Sequence, residues 1–169
     1  MSDKHRRYFL KAREANVLLD GVSKRLKVDL RQVVKARVNV EVVEAGFAEI
    51  YLINGKPVLA KTEEGVFPTL VFSEFLASAP KIVVDMGAIP HVCNGANVMA
   101  PGIRSVEGEF VRGDFVVVVD ERHGKPVALG EIMYDADEAK RAKQGIIVKN
   151  VHFVSDRTWN FIKKLETMI

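Results

Sequence analysis

The residues best suited to chemistry are few. Histidines stand at 5, 91, 123 and 152, and the only cysteine is Cys93. His91 and Cys93 lie two apart, but a tetrahedral metal site needs further ligands, and no other histidine stands at ligand spacing. A nucleophilic thiolate needs an activating base or cation, and none is evident beside Cys93. Asp135, Asp137 and Glu138 suggest paired carboxylates. Their spacing fits a capping box better, with Asp135 at the cap and Glu138 at the third helical position. A nucleophile elbow, a phosphate loop and a dinucleotide fingerprint are all missing, so no enzyme, cofactor or metal site is expected. Arg112-Gly113-Asp114 reads as a turn ahead of a strand.

A different kind of segment runs from Asp85 to Arg104. Between these two residues it carries no charge and combines Gly87, Ala88, Gly95, Ala96 and Gly102 with apolar side chains. Small residues let backbone approach backbone, or let a ligand approach backbone N–H groups. On physics alone, a tight crossover inside a barrel that needs small residues for packing explains the composition better.

The elements that would position this segment follow from periodicity. Val17, Leu18, Val22 and Leu26 recur at helical steps, with Gly21 as a point of weakness. Arg6 to Leu10 suits a short strand. Val38, Val40 and Val42 alternate as in a half-buried strand, and Glu49–Ile53 meets Asn54-Gly55 and then Pro57–Ala60, a hairpin signal. Phe67-Pro68-Thr69-Leu70 reads as a helix opening, with Thr69 as the cap. Beyond Pro80 come a strand at 81–85, a short helix near 88–94 with Pro90 in its first turn, and strands at 115–119 and 126–133 joined by a turn at 121–125. Residues 146–148 and 151–154 add strand material, and a last helix from Asp156 buries Trp159, Ile162 and Leu165. The expected class is α+β, ending in a small barrel with short helices. No Gly/Ser linker occurs at Pro80, so the two halves are expected to pack on each other.

Composition sets the outer bounds. The 169 residues are 48% apolar and 28% charged, enough for a packed core and for one domain or two small ones. The first forty residues hold eleven Lys or Arg against four acids, residues 41–79 hold two against six, and residues 80–169 hold twelve of each. A basic end suits a phosphate-rich partner. Lys4, Arg6, Arg7, Lys11 and Arg13 interrupt any secretory signal, and the uncharged run Met86–Ile103 contains two prolines and three glycines. No membrane partner is expected, and the cytoplasm is the expected location.

Asp85-Met86-Gly87-Ala88-Ile89, Gly95-Ala96-Asn97-Val98-Met99 and Pro101-Gly102-Ile103 resemble the signature of the PUA domain, an RNA-binding module. Arg112–Val118 and Lys143–Phe153 resemble its later strands. Phe67–Leu70 and Asn150–Asp156 are similar to segments of the malignant-T-cell-amplified-sequence and ligatin-like family, and the chain looks most like an archaeal member. The resemblance implies a pre-PUA α+β domain over 1–79, packed on a PUA domain over 80–156, then a C-terminal helix over 157–169. It also implies an RNA-binding, non-enzymatic protein of translation. The partners would be a tRNA acceptor end or ribosomal RNA, with the small ribosomal subunit and a translation-factor protein beyond them.

The expected RNA groove begins at Gly87 and Ala88, with His91 and Asn94 on the short helix. It continues through Gly95, Ala96, Asn97 and Met99, then Pro101, Gly102, Ile103 and Arg104. Lys149, Asn150 and His152 complete it on the last strand. Arg104 and Lys149 would supply countercharge, and Gly95 and Gly102 are expected to need positive φ or close approach. The basic Arg6–Arg37 stretch would add a second, weaker phosphate contact. The alternatives are an RNA-recognition subunit of a pseudouridine or base-exchange enzyme, and a small-molecule enzyme using His91 and Cys93.

Overall fold

The computed structural model describes residues 5–34 and 37–168. Lys4 and Lys35 of the basic segment lie outside the described residues. The chain divides into two compact units, residues 1–72 with 161–169 and residues 73–160.

In the first unit the strands β1 (Arg6–Phe9), β2 (Val40–Glu44), β3 (Glu49–Ile53), β4 (Lys56–Thr62) and β5 (Gly65–Pro68) pair in sequence order, every pairing antiparallel. Asn54 and Gly55 turn the β3–β4 hairpin at φ 51° and 84°, the two positive values that a tight hairpin matching strand twist requires. Ile50, Tyr51, Leu52 and Ile53 are all buried, so β3 is covered on both faces. Helix α1 (Ala12–Leu26) runs unbroken through Gly21 and is followed by α2 (Leu30–Val34). Its buried stripe is Ala15, Leu19, Val22 and Leu26, whereas Val17 is 71% exposed. The expected face is therefore rotated, because the stripe begins in the first turn at Ala15 and Val17 falls outside it.

The expected helix opening at Thr69 is a correction. Phe67 and Pro68 end β5, and the helix α3 starts later, at Ser73–Ser78. Thr69 is fully buried, and its hydroxyl donates to the Pro57 carbonyl at 2.8 Å rather than capping a helix. An inward hydroxyl takes the nearest unsatisfied acceptor, here on the neighbouring strand.

The second unit is built on β6 (Lys81–Val84), α4 (Ile89–Val92), β7 (Val98–Met99), a 3-10 turn (Ala100–Gly102), β8 (Ile103–Glu107), β9 (Phe115–Asp120), β10 (Pro126–Ile132), α5 (Ala136–Arg141) and β11 (Ile146–Phe153). Its strand order is β7-β11-β10-β9-β6-β8, with β6 parallel to β9 and the other neighbours antiparallel. Both edge strands, β7 and β8, are joined by only the three residues Ala100-Pro101-Gly102. Six flat strands would set the edges about 24 Å apart. Three linking residues reach roughly 14 Å. The sheet must therefore curl until its edges meet, and it forms a half-barrel. Val116–Val119 are buried along β9, as a strand covered on both sides demands.

The two strand segments expected at 146–154 are one strand, β11. Asp135 does stand at the start of α5, but it makes no side-chain cap. Its Oδ1 accepts the Arg112 N–H at 2.8 Å, so the expected capping box does not form. The last helix, α6 (Arg157–Thr167), begins in the second unit and ends in the first, where Ile162 and Leu165 are buried.

Candidate nucleic-acid interface

The segment rich in small residues is folded by its own hydrogen bonds. As β6 ends, the Asp85 N–H donates to the Gly102 carbonyl at 2.9 Å, and Asp85 Oδ1 accepts the Ala88 N–H at 2.8 Å. A Cβ on Gly102 would meet Ala88 Cβ at 3.4 Å, so both ends of the segment are brought side by side. Helix α4 then stops in a Schellman arrangement: the Gly95 N–H donates to Val92 O and the Ala96 N–H to His91 O, both at 3.0 Å. Gly95 sits at φ +96°, which is what that stop requires.

Asparagines then fasten the loop to the last strand. The Asn150 side-chain amide donates to Val92 O at 3.0 Å and to Ala96 O at 2.9 Å. In return, Asn97 Oδ1 accepts the Asn150 backbone N–H at 2.9 Å. Asn150 Oδ1 is buried and has no hydrogen-bond partner among the described residues. Asn150 and Asn97 thus shape the loop through their amides.

Gly87, His91, Asn94, Gly95, Ala96, Asn97, Met99, Pro101 and Arg104 are exposed, and Ala88, Gly102 and Ile103 are half-buried. These residues form a continuous run of chain, and Lys149 is exposed on β11 beside Asn150. Met99 faces Ile146 across β7–β11, and both are more than 40% exposed, an apolar pair open to solvent.

His152 is a correction. Its ring is completely buried, and Nδ1 lies 2.8 Å from Asp156 Oδ2, so it cannot meet an external RNA. Asp156 also accepts the N–H groups of Phe153 and Trp159, at 2.9 and 2.7 Å, and caps α6. Burial alone would raise the Asp156 carboxyl, but the His152 hydrogen bond and charge, with these two N–H bonds, outweigh it and hold the carboxyl below its ordinary range. Gly102 is a second correction: it has no positive φ, and its contact with Ala88 is at ordinary distance. The Arg104 charge is engaged, since its Nε lies 2.9 Å from Glu121 Oε2. Burial pushes the Cys93 thiol up, away from a reactive thiolate.

Two further residues support the site. Gly130 pairs with Asn150 across β10–β11, and a Cβ there would collide with Val148 Cγ1 and lie 2.6 Å from the Lys149 carbonyl. A glycine inside a strand is itself the signal of such an approach. Asp120 is 6% exposed and accepts the backbone N–H groups of Arg122, His123 and Lys125. An aspartate leading into a Gly-containing turn is the corresponding signal.

The chain matches the PUA domain over residues 80–154, the stretch that holds this loop, and the Domain of unknown function (DUF1947) over residues 6–73. It is 36% identical to Uncharacterized protein MJ1432 of Methanocaldococcus jannaschii across 92% of this chain and 96% of that protein. The chain belongs to the MJ1432 family. The half-barrel with its Asp85–Arg104 loop is thus the PUA domain of this family, and the first sheet is its DUF1947, or pre-PUA, region. A crystal structure of hypothetical protein PH0734.1 from Pyrococcus horikoshii is 31% identical and superposes with a TM-score of 0.76, covering 93% of this chain and 99% of that one. The relationship extends to eukaryotes. Translation machinery-associated protein 20 of Saccharomyces cerevisiae is 29% identical over 67% of this chain and 66% of that protein. Malignant T-cell-amplified sequence 1 of Danio rerio is 31% identical over 66% of this chain and 65% of that protein. The matches to these two proteins span about two thirds of each one's length. The PUA domain is an RNA-binding fold, and the first of the two is named for the translation machinery.

Proposed function

We propose that this family member is a cytoplasmic, non-enzymatic RNA-binding protein of translation, and that its PUA loop takes a tRNA acceptor end or a single-stranded junction of small-subunit ribosomal RNA. One observation carries the reading: within the PUA match, Gly87, Gly95, Ala96, Asn97 and Pro101 stand exposed in a segment that is uncharged up to Arg104, on a backbone fixed by the Asn97–Asn150 amide clamp. Small residues admit a sugar-phosphate backbone closely, and a fixed loop loses little conformational entropy on binding. The division into 1–79, 80–156 and 157–169 belongs to this proposal, as does a translation-factor partner. A salt titration with a hairpin RNA carrying a single-stranded 3′ end tests it. Neutralising about four phosphates on a single strand gives a log–log salt slope of about −3. Binding that ignores salt, or that does not distinguish the overhang from a blunt hairpin, would count against it.

A further inference from the structure

The turn between β9 and β10 lies against the start of the PUA loop. Val84 and Asp120 are register partners across the parallel β6–β9 pair, and the Glu121 N–H donates to Val84 O at 3.0 Å. The next residue on that strand, Asp85, begins the loop. The Arg104–Glu121 ion pair ties the loop's far end to the same turn.

This turn is locked from beneath. The Asp120 carboxylate receives the N–H groups of His123, Lys125 and Arg122, and the Asp120 carbonyl receives the Gly124 N–H at 3.0 Å. The bond from His123 first, with those from Lys125 and Arg122, outweighs burial and holds the Asp120 carboxyl below its ordinary range. Glu121 through Lys125 are all exposed. Among the described residues, no hydrogen bond or ion pair engages the side chain of Arg122 or Lys125. Arg104, the countercharge expected from sequence, is already committed to Glu121.

We propose that the Asp120-locked turn is a phosphate-contact site in which Arg122 and Lys125, with His123 between them, hold the RNA backbone beside the PUA loop. The inference rests on the RNA-binding reading and adds a site to it. The N–H groups of Arg122, His123 and Lys125 bond Asp120, so side-chain cations alone meet the phosphates. Arg122 can do so with two parallel bonds and Lys125 as a point charge. The contact is consequently blind to sequence and sensitive to salt.

The test compares wild type, an Arg122→Ala/Lys125→Ala double variant and Asp120→Asn, each bound to the 3′-overhang hairpin across a salt series. Removing two phosphate contacts on a single strand should lower the slope by about 1.4. Both changes are exposed, so the melting temperature should not move. Asp120→Asn deletes a negative charge, and net charge alone would tighten binding. Loss of the lock should weaken it instead. Salt-dependent binding by wild type with the same slope in the double variant would overturn the site. Tighter binding by a normally melting Asp120→Asn would overturn the role of the lock. If the double variant lost affinity for polyglutamate and not for RNA, the partner would be an acidic protein and the proposal would fall. A wild type that binds no RNA would overturn the underlying RNA reading itself.

Discussion

The two units differ in where their paired and unpaired cations lie. In the first unit, which holds the basic segment, Arg7 is paired with Glu41 at 2.9 Å, Arg6 with Glu44 at 3.7 Å and Arg31 with Asp20 at 2.6 Å. The second unit, residues 73–160, holds ten bases against twelve acids and pairs Arg104 with Glu121. Yet it displays Arg122 and Lys125 without a side-chain partner among the described residues, on a turn whose backbone is pinned. Net charge counts residues, whereas a phosphate responds to cations that no neighbour has neutralised. A unit with no basic excess can therefore still offer a phosphate site.

The same contrast holds for glycine, and it yields the largest expected effect. Gly130→Ala drives a methyl into the Val148 side chain and the Lys149 carbonyl, and should cost about 3 kcal/mol by denaturant unfolding. Gly55→Ala, in the open hairpin of the first unit, meets no atom within 4 Å and bears only its positive φ, about 1 kcal/mol. Equal losses would remove the distinction between a crowded glycine and a merely left-handed one.

Asp156→Ala removes the cap of α6 and the partner of His152, and should cost about 1–2 kcal/mol. The pH dependence has a definite sign. A carboxyl held below its ordinary range when folded takes up protons more readily in the unfolded chain, so stability present at neutral pH is lost as pH falls through the folded value. The melting temperature of wild type should drop on acidification more steeply than that of Asp156→Asn. Parallel curves would show that the His152–Asp156 pair contributes no such linkage.

The charge comparison is sharpened by an Arg7→Ala/Arg31→Ala variant in the RNA salt titration. Both arginines are paired within the chain, so its slope should stay within a few tenths of wild type, against about 1.4 for the Arg122/Lys125 variant. Equal slopes would put the phosphates on the first unit as well. The smallest effect is expected at Gly102→Ala, whose new methyl only touches Ala88 and which should unfold within about 0.5 kcal/mol of wild type.

Features written over short stretches were legible in the sequence. Asn54-Gly55 declared its hairpin because both residues tolerate positive φ. The run Phe115–Val119 declared a strand, and the Gly- and Ala-rich motif declared the PUA domain through its likeness to that signature. Features that depend on a distant partner were not. The hydroxyl of Thr69 chose Pro57 on another strand, and Asp135 chose the Arg112 N–H, twenty-three residues away. Gly130 matters only because β11 lies across it. His152 was not recoverable from strand alternation, because the register shift between Leu129 and Gly130 places an extra residue of β11 between Asn150 and His152, and only the pairing with β10 reveals it.

The amide clamp sets an order of events. Asn97 and Asn150 are separated by 53 positions in the chain, and β7 pairs only with β11. During synthesis the Asp85–Arg104 loop leaves the ribosome well before the strand that shapes it. At about 5–20 residues per second, the interval is several seconds. Throughout that interval the nascent loop lacks the geometry proposed for RNA contact. Under the proposed RNA reading, the loop acquires its grip only when the half-barrel is closed, and an unfinished copy has no hold on RNA near its own exit.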